Sequence, residues 1–303
     1  MSCDVVFVRT PKAFLGAVLL SKSYGRSDRR KDKVSTLVEI VKDNWKWRSQ
    51  IWNLGLFDLR RQSRGAVLGP AWFFIKPAIY IFVFWFALQV GLRADGGSSA
   101  TGAPYILWLM AGLIPWFYMQ DMLGKGVDLF HSYSYLVSKI KFPLAAIPSI
   151  YAVAESLIQL GLVAALLVVY FACGQKLDLY LLQLPVAMLL MIVFFYMFTL
   201  MTSCLSAISK DFCNLVRALV TPVFWLSGIL FDVFSLDYDW LTIILMFDPV
   251  TFIASMYRGA LFDKTWIWER EGAIGGFIIV FVATLICTIL VYKRTREEVP
   301  DVV

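Results

Sequence analysis

The chain has 303 residues, 59% of them hydrophobic and 16% aromatic, with a mean hydropathy of +0.71 and a formal net charge of +6. So much apolar surface argues against a water-soluble domain, because apolar runs near twenty residues are the mark of membrane helices. One His and five scattered Cys, none forming a Cys-X-X-Cys pair, argue against a zinc site or a disulfide framework.

The charge is unevenly placed. Residues 1–68 hold fourteen of the twenty-eight Lys and Arg. The early apolar run Ala13–Leu20 lacks a small-residue cleavage site and leads into SKSYGRSDRRKDK, so residues 1–34 are expected to form a solvated basic tail rather than a signal peptide. A cytoplasmic flank obeying the positive-inside rule accounts for these charges better than a nucleic-acid site does, and no nucleic-acid partner is expected. Over residues 35–68, Leu37, Val41 and Trp45, then Trp47, Ile51 and Leu54, recur at helical spacing among Lys and Arg. This pattern predicts an amphipathic helix in the inner headgroup layer, the alternative being a helix packed on a soluble partner.

Six apolar segments follow within residues 69–292: Gly69–Leu92, Pro104–Leu123, Phe142–Ala172, Leu181–Ile208, Val216–Phe234 and Gly272–Tyr292. Each is long enough to cross the roughly 30 Å hydrocarbon core as a helix, which predicts an all-α integral membrane protein. With the N-terminus inside, twenty-two Lys and Arg fall on the inner side and five on the outer. This places both termini in the cytoplasm, including the tail 293–303. Ser209–Leu215 makes a tight hairpin of the fourth and fifth segments. The outer connection 235–271 carries two apolar pieces too short to cross, Trp240–Phe247 and Val250–Phe262, hinged at Asp248-Pro249. Two short re-entrant helices are predicted there, since non-spanning backbone in a bilayer must satisfy its own hydrogen bonds.

The chemistry of bond-making is missing from the pattern. There is no GxxxxGK[ST], GxSxG, HExxH or DxDxDG; Gly124-Lys125-Gly126 lacks the upstream glycine and the hydroxyl of a phosphate loop. Asp237 and Asp239 read as a solvated turn, and no metal or catalytic residue is assigned. Intramembrane polar groups are therefore the functional candidates. Glu155 and Gln159 lie one helical turn apart, either facing a passage or sitting at headgroup depth, and Lys76 either serves a site or snorkels to the surface.

Five motifs in order carry a resemblance: RGAVLGPAW (Arg64–Trp72) with Pro77 and the aromatic run to Phe86, Pro104–Tyr118, Leu136–Pro148, Ser209–Phe231 and Asp248–Phe262. They resemble bacterial polysaccharide-export permeases, the membrane subunits of ATP-binding-cassette exporters for O-antigen, capsule and teichoic acid. Two positions depart: the usual Arg-Asp after the fourth span is Lys210-Asp211, which loses the guanidinium fork, and the usual Asn-Pro of the outer loop is Asp248-Pro249.

The resemblance implies a homodimer of this chain, a separate ATPase subunit that carries the ATP and Mg, and a lipid-linked glycan as substrate among membrane lipids. This chain itself binds no cofactor. Arg60, Arg61, Arg64 and Lys76 would meet the lipid headgroup. Tyr80, Phe84, Trp116, Tyr118, Glu155, Gln159, Phe224 and Trp225 are candidates to line the channel. Asp128, Leu129, Phe130 and Tyr133, expected as exposed knobs after the second span, match the family's ATPase-coupling helix, and Asp248, Pro249, Tyr257 and Arg258 would form an outer gate. Two rival readings are an ATP-driven exporter of a small molecule such as a drug or haem, and an ATP-independent membrane enzyme or flippase.

Overall fold

The computed structural model of the chain describes residues 28–91, 104–138, 142–235, 238–269 and 271–299. The basic tail before residue 28, the loop residues Arg93, Lys139 and Lys141, and Asp237 and Arg270 lie outside the described residues. Among the described residues the fold is entirely helical.

The amphipathic region is two helices, α1 (Asp28–Lys46) and α2 (Arg48–Gln62), broken at Trp47. Trp47 packs edge-on against Phe142 with ring centroids 4.8 Å apart. Asn44 donates to the Tyr196 hydroxyl at 2.9 Å, and that hydroxyl donates to the Ala145 carbonyl at 2.8 Å, tying α1 to the bundle. α2 lies against the third apolar helix at Gly55, where a Cβ would stand 2.8 Å from Val153 Cγ1 and 3.1 Å from the Ile150 carbonyl oxygen. Only glycine permits that approach. The opposite stripe leaves Val41, Trp45, Trp52 and Phe57 exposed. The predicted single helix is thus a broken pair with one stripe on the bundle and an apolar stripe facing outward.

The chain turns from α2 into the membrane through two positive-φ glycines, Gly65 and Gly69. Pro70 then sits in the first turn of the short helix Gly69–Ala71, where its missing N–H has no partner to lose. α3 (Trp72–Trp85) runs through Pro77 and ends in a π-turn, Phe86–Gly91. α4 (Tyr105–Gly124) continues through a 3-10 turn to the short α5 (Leu129–Ser132) and α6 (Ser134–Ser138). α7 (Ile147–Ala172), α8 (Gln183–Ile208) and α12 (Glu271–Thr295) complete the long apolar helices.

Among the described residues, five helical stretches are long and apolar enough to cross a membrane: Gly69–Gly91, Tyr105–Ser132, Leu144–Ala172, Leu179–Ile208 and Gly272–Thr295. In the second, 72% of the residues of its most apolar 18-residue stretch are buried and it forms the centre, whereas in the first only 6% are and it lies at the edge. A sixth apolar unit is bent by 90°: α10 (Asp239–Met246) and α11 (Pro249–Arg258). This is the re-entrant pair expected before the last span. Asp248 accepts from the backbone N–H groups of Val250 and Thr251 at 3.2 and 2.9 Å, capping α11. Gly276 on α12 receives the end of α10, where a Cβ would lie 2.3 Å from the Met246 carbonyl oxygen.

The expected Val216–Phe234 span is shorter than its composition suggests. α9 (Lys210–Leu226) follows α8 after one extended residue, Ser209, and stops before Ser227. Beyond it the chain is irregular, with its carbonyls turned toward a buried arginine rather than into a further helical turn.

Candidate functional site

A cavity of about 890 Å3 opens between α2, α3, α4, α7 and the base of α9. That lies within the roughly 300–1,000 Å3 typical of ligand pockets. Arg61, Lys76, Tyr80, Tyr118, Leu129, Tyr133, Glu155 and Gln159 all contribute to its wall. The structure therefore brings into one place residues assigned separately to headgroup capture, channel and coupling.

Its charges are laid out in pairs. Arg61 is 3.5 Å from Asp58, Lys125 is 3.0 Å from Asp121, and Arg217 is 3.2 Å from Asp128. Asp58 is buried, with side-chain exposure of 6%, so its compensation by Arg61 and by Gln62 at 3.3 Å matters energetically. Lys76 is exposed to the cavity, and among the described residues no carboxylate forms a salt bridge with it. Tyr133 stands under the Arg61 guanidinium at 6.0 Å from the ring centroid. Burial, reinforced by the Asp58 carboxylate, pushes the Tyr133 phenol well above its ordinary range, so it stays a neutral hydroxyl.

Deeper in, α7 presents Tyr151, Glu155 and Gln159 at four-residue intervals on one face. Glu155 is 3% exposed and accepts from Gln62 Nε2 at 3.3 Å, a bond joining α7 to the end of α2. Gln159 donates to the buried Tyr257 hydroxyl of α11 at 3.4 Å. The cavity floor thus touches the re-entrant pair.

The remaining channel candidates lie outside the cavity wall but adjoin it. Tyr80 is 6.4 Å from Phe84, Phe84 is 5.4 Å from Phe224, and Trp116 is 5.4 Å from Phe224 between ring centroids. Trp225 joins Phe84 at 6.3 Å and is 59% exposed, so the run of rings ends on an open face. Arg60 and Arg64 do not line the cavity; Arg64 lies over Phe57 at 5.5 Å.

The expectation of exposed knobs at Leu129 and Phe130 is corrected. They are 2% and 1% exposed. The cause is the preceding turn: Thr199 and Ser203 of α8 donate to the Met122 and Gly126 carbonyls at 3.2 and 2.7 Å, and Ser206 donates to the Val127 carbonyl. Held there, the chain directs both side chains inward. Asp128 is salt-bridged to Arg217 rather than free, and the open aromatic of this loop is Tyr135, 67% exposed.

Of the residues expected to form an outer gate, Tyr257 and Arg258 are buried. Arg258 Nη1 donates to the Gly228 and Phe231 carbonyls at 2.5 and 3.2 Å, and Nη2 donates to the Ile229 carbonyl. Its guanidinium lies 3.6 Å from the Trp108 ring centroid. Gly112 makes room for it. Thr251 donates to Asp248 at 2.6 Å and accepts from the Gly228 N–H at 3.0 Å, so both ends of the Asp248–Arg258 segment grip the chain beyond α9.

Sequence reasoning missed Asp58, Gln62, Asp121, Lys125, Arg217 and Tyr151 as cavity residues. Tyr151 had a signal, being four residues before Glu155. The others are polar residues near helix ends, which pattern alone does not separate from solvated positions.

Fold and cavity together define a multi-pass helical membrane protein with a mixed-charge chamber between its amphipathic helices and its core helices. The chain belongs to the ABC-2 type transporter membrane family, whose profile matches residues 49–262. Over 263 residues, 86% of this chain and 98% of the relative, it is 21% identical to the O-antigen export system permease protein RfbA of Myxococcus xanthus. Over 241 residues, 78% of this chain and 90% of the relative, it is 21% identical to the O-antigen export system permease protein RfbA of Klebsiella pneumoniae.

Proposed function

We propose that this chain is the permease subunit of an ATP-driven exporter that moves lipid-linked polysaccharide across the bacterial cytoplasmic membrane. The observation that carries the reading is the single cavity holding Arg61, Lys76, Tyr80, Tyr118, Glu155, Gln159 and Tyr133, in a chain of the ABC-2 family whose relatives are named for O-antigen export. The positive-inside bias of the sequence supports a cavity mouth and both termini on the cytoplasmic side.

In this reading the headgroup of a lipid-linked glycan arrives at the inner leaflet, and its phosphate meets Lys76 and Arg61 beside Gly69. The aromatic run from Tyr80 through Phe84 to Phe224 and Trp225 gives sugar rings flat faces without strong attachment, as processive movement requires. A second copy of this chain completes the channel against the open face of Trp225 and α3. ATP and Mg are held by a separate ATPase subunit. That subunit docks at α5 and α6, with Tyr135 as the exposed contact and Asp128–Arg217 passing its movement to α9.

The test is ATPase stimulation. The chain, co-purified with its ATPase in nanodiscs, should hydrolyse ATP faster when a polyprenyl-diphosphate-linked glycan is present. No stimulation by any lipid-linked glycan, with stimulation by a drug-like or haem ligand, would replace this reading with the small-molecule one.

A further inference from the structure

The floor of the cavity is more polar than helix packing in a membrane calls for. Glu155, Gln159, Tyr118 and Tyr151 are 3%, 1%, 2% and 4% exposed, yet all four border the open volume. Gln159 donates its amide to Tyr257, but its Oε1 has no hydrogen-bond partner among the described residues. The Tyr118 hydroxyl lies beside Ser156 and the Tyr151 hydroxyl beside Glu155, each in a loose contact that leaves room for a better partner. Buried polar atoms are normally satisfied, and an unpaired carboxamide oxygen beside two loosely held hydroxyls around one space points to something that fills it.

The donor and acceptor pattern selects the occupant. A carboxamide oxygen, a carboxylate and two phenols are answered together by groups that both donate and accept, which is what a hydroxyl does. A phosphate suits the floor poorly, because Glu155 stands in it, while Lys76 and Arg61 offer cations elsewhere in the wall. Tyr80 and Phe117 also line the space, their rings edge-to-face with centroids 6.2 Å apart. They supply an apolar face for the C–H side of a pyranose ring.

We propose that Glu155, Gln159, Tyr118 and Tyr151 form a sugar subsite that reads the first ring of the lipid-linked glycan by its hydroxyls, while Arg61 and Lys76 take the phosphate. This rests on the export reading above and adds the part of the substrate each wall of the cavity recognises. It makes the permease selective for glycosylated over bare carrier lipid, and through Gln159 and Tyr257 it puts the sugar one hydrogen bond from the re-entrant pair.

The test uses the full chain with its ATPase in nanodiscs and two probes: polyprenyl diphosphate, and the same lipid bearing one N-acetylglucosamine. Wild type should bind the glycosylated probe more tightly. Each lost neutral hydrogen bond weakens binding about two- to tenfold, so Gln159→Leu and Tyr118→Phe should each erode the preference by that much. Affinity for the bare lipid should stay unchanged, which also shows that the variants are folded. If Gln159→Leu disturbs the fold, Tyr118→Phe, which removes one oxygen, decides alone. Equal wild-type affinity for the two probes, or a preference untouched by Tyr118→Phe, would mean that the floor holds water only and the subsite is wrong. If neither probe binds wild type, the export reading itself fails.

Discussion

Replacing Arg258 by Met should loosen the packing of α11 against the segment beyond α9. The guanidinium donates to the carbonyls of Gly228, Ile229 and Phe231 and lies over Trp108 at 3.6 Å. Methionine fills part of the volume but donates nothing, so three carbonyls in the irregular segment after α9 lose their partner. Hydrogen bonds to a charged group are worth about 1.5–3 kcal/mol each. Against that sum stands the desolvation that the buried cation no longer suffers, which leaves a net cost of about 3–5 kcal/mol, the scale for breaking a buried charged network. At about 2 °C per kcal/mol, the low end for large domains, Tm should fall by about 6–10 °C. Cys204 is fully buried, so once the other cysteines, exposed Cys287 among them, are replaced, a thiol-reactive dye reports the unfolding in detergent. Arg258→Lys should recover part of the loss, since an ammonium reaches one or two carbonyls. An unchanged Tm for Arg258→Met would refute the idea that this residue holds the segment beyond α9 against the re-entrant pair.

Other expectations concern the remaining parts of the molecule. Phe130→Ala should destabilise the protein by about 3–5 kcal/mol, because the ring is core; Tyr135→Ala should leave Tm unchanged and abolish substrate stimulation of the ATPase, and the reverse pattern would restore Phe130 as the knob. Lys76→Gln and Arg61→Gln should each weaken binding of a lipid diphosphate about fivefold, at about 1 kcal/mol per charge near the membrane surface, whereas Arg60→Gln and Arg64→Gln should leave it unchanged in a nanodisc binding titration. Gly276→Ala places a methyl group against the Met246 carbonyl and should cost about 1–3 kcal/mol by overpacking, while Gly275→Ala, with open space at its Cβ, should not; equal melting temperatures for the two would contradict the docking of α10 on α12. Cysteine at Ile253, a fully buried position, should resist an impermeant thiol reagent from outside, and cysteine at Trp268 should label.

Much of the fold was legible because bilayer thickness imposes length and apolarity on spanning helices, and five of the six predicted segments are long apolar helices. The bent pair was legible for the same reason: its pieces are too short to cross and meet at Asp248-Pro249. Val216–Phe234 shows where that reasoning stops. Hydropathy registers that the residues are apolar, but Ser227-Gly228 ends the helix and Arg258, thirty residues on, takes the freed carbonyls. Long-range capture of backbone leaves no local signature. The same holds for Phe130, an aromatic in a loop that looks like a knob until the α8 hydroxyls fix the turn before it. The cavity was half legible. Four-residue spacing joins Glu155 to Gln159, but nothing local brings Asp58 and Gln62 of α2 to the same chamber; that takes the close contact at Gly55.

Directional transport of a lipid-linked glycan is measured most directly in liposomes. The permease and its ATPase are reconstituted with a fluorescent polyprenyl-diphosphate glycan in the leaflet that faces the ATPase, and the label is followed by an impermeant quencher on the other side. ATP-dependent appearance of the glycan in the far leaflet, slowed by Lys76→Gln, is the expected result. Glycan movement that is the same with and without ATP, or absent while ATP is hydrolysed at full rate, would contradict directional transport.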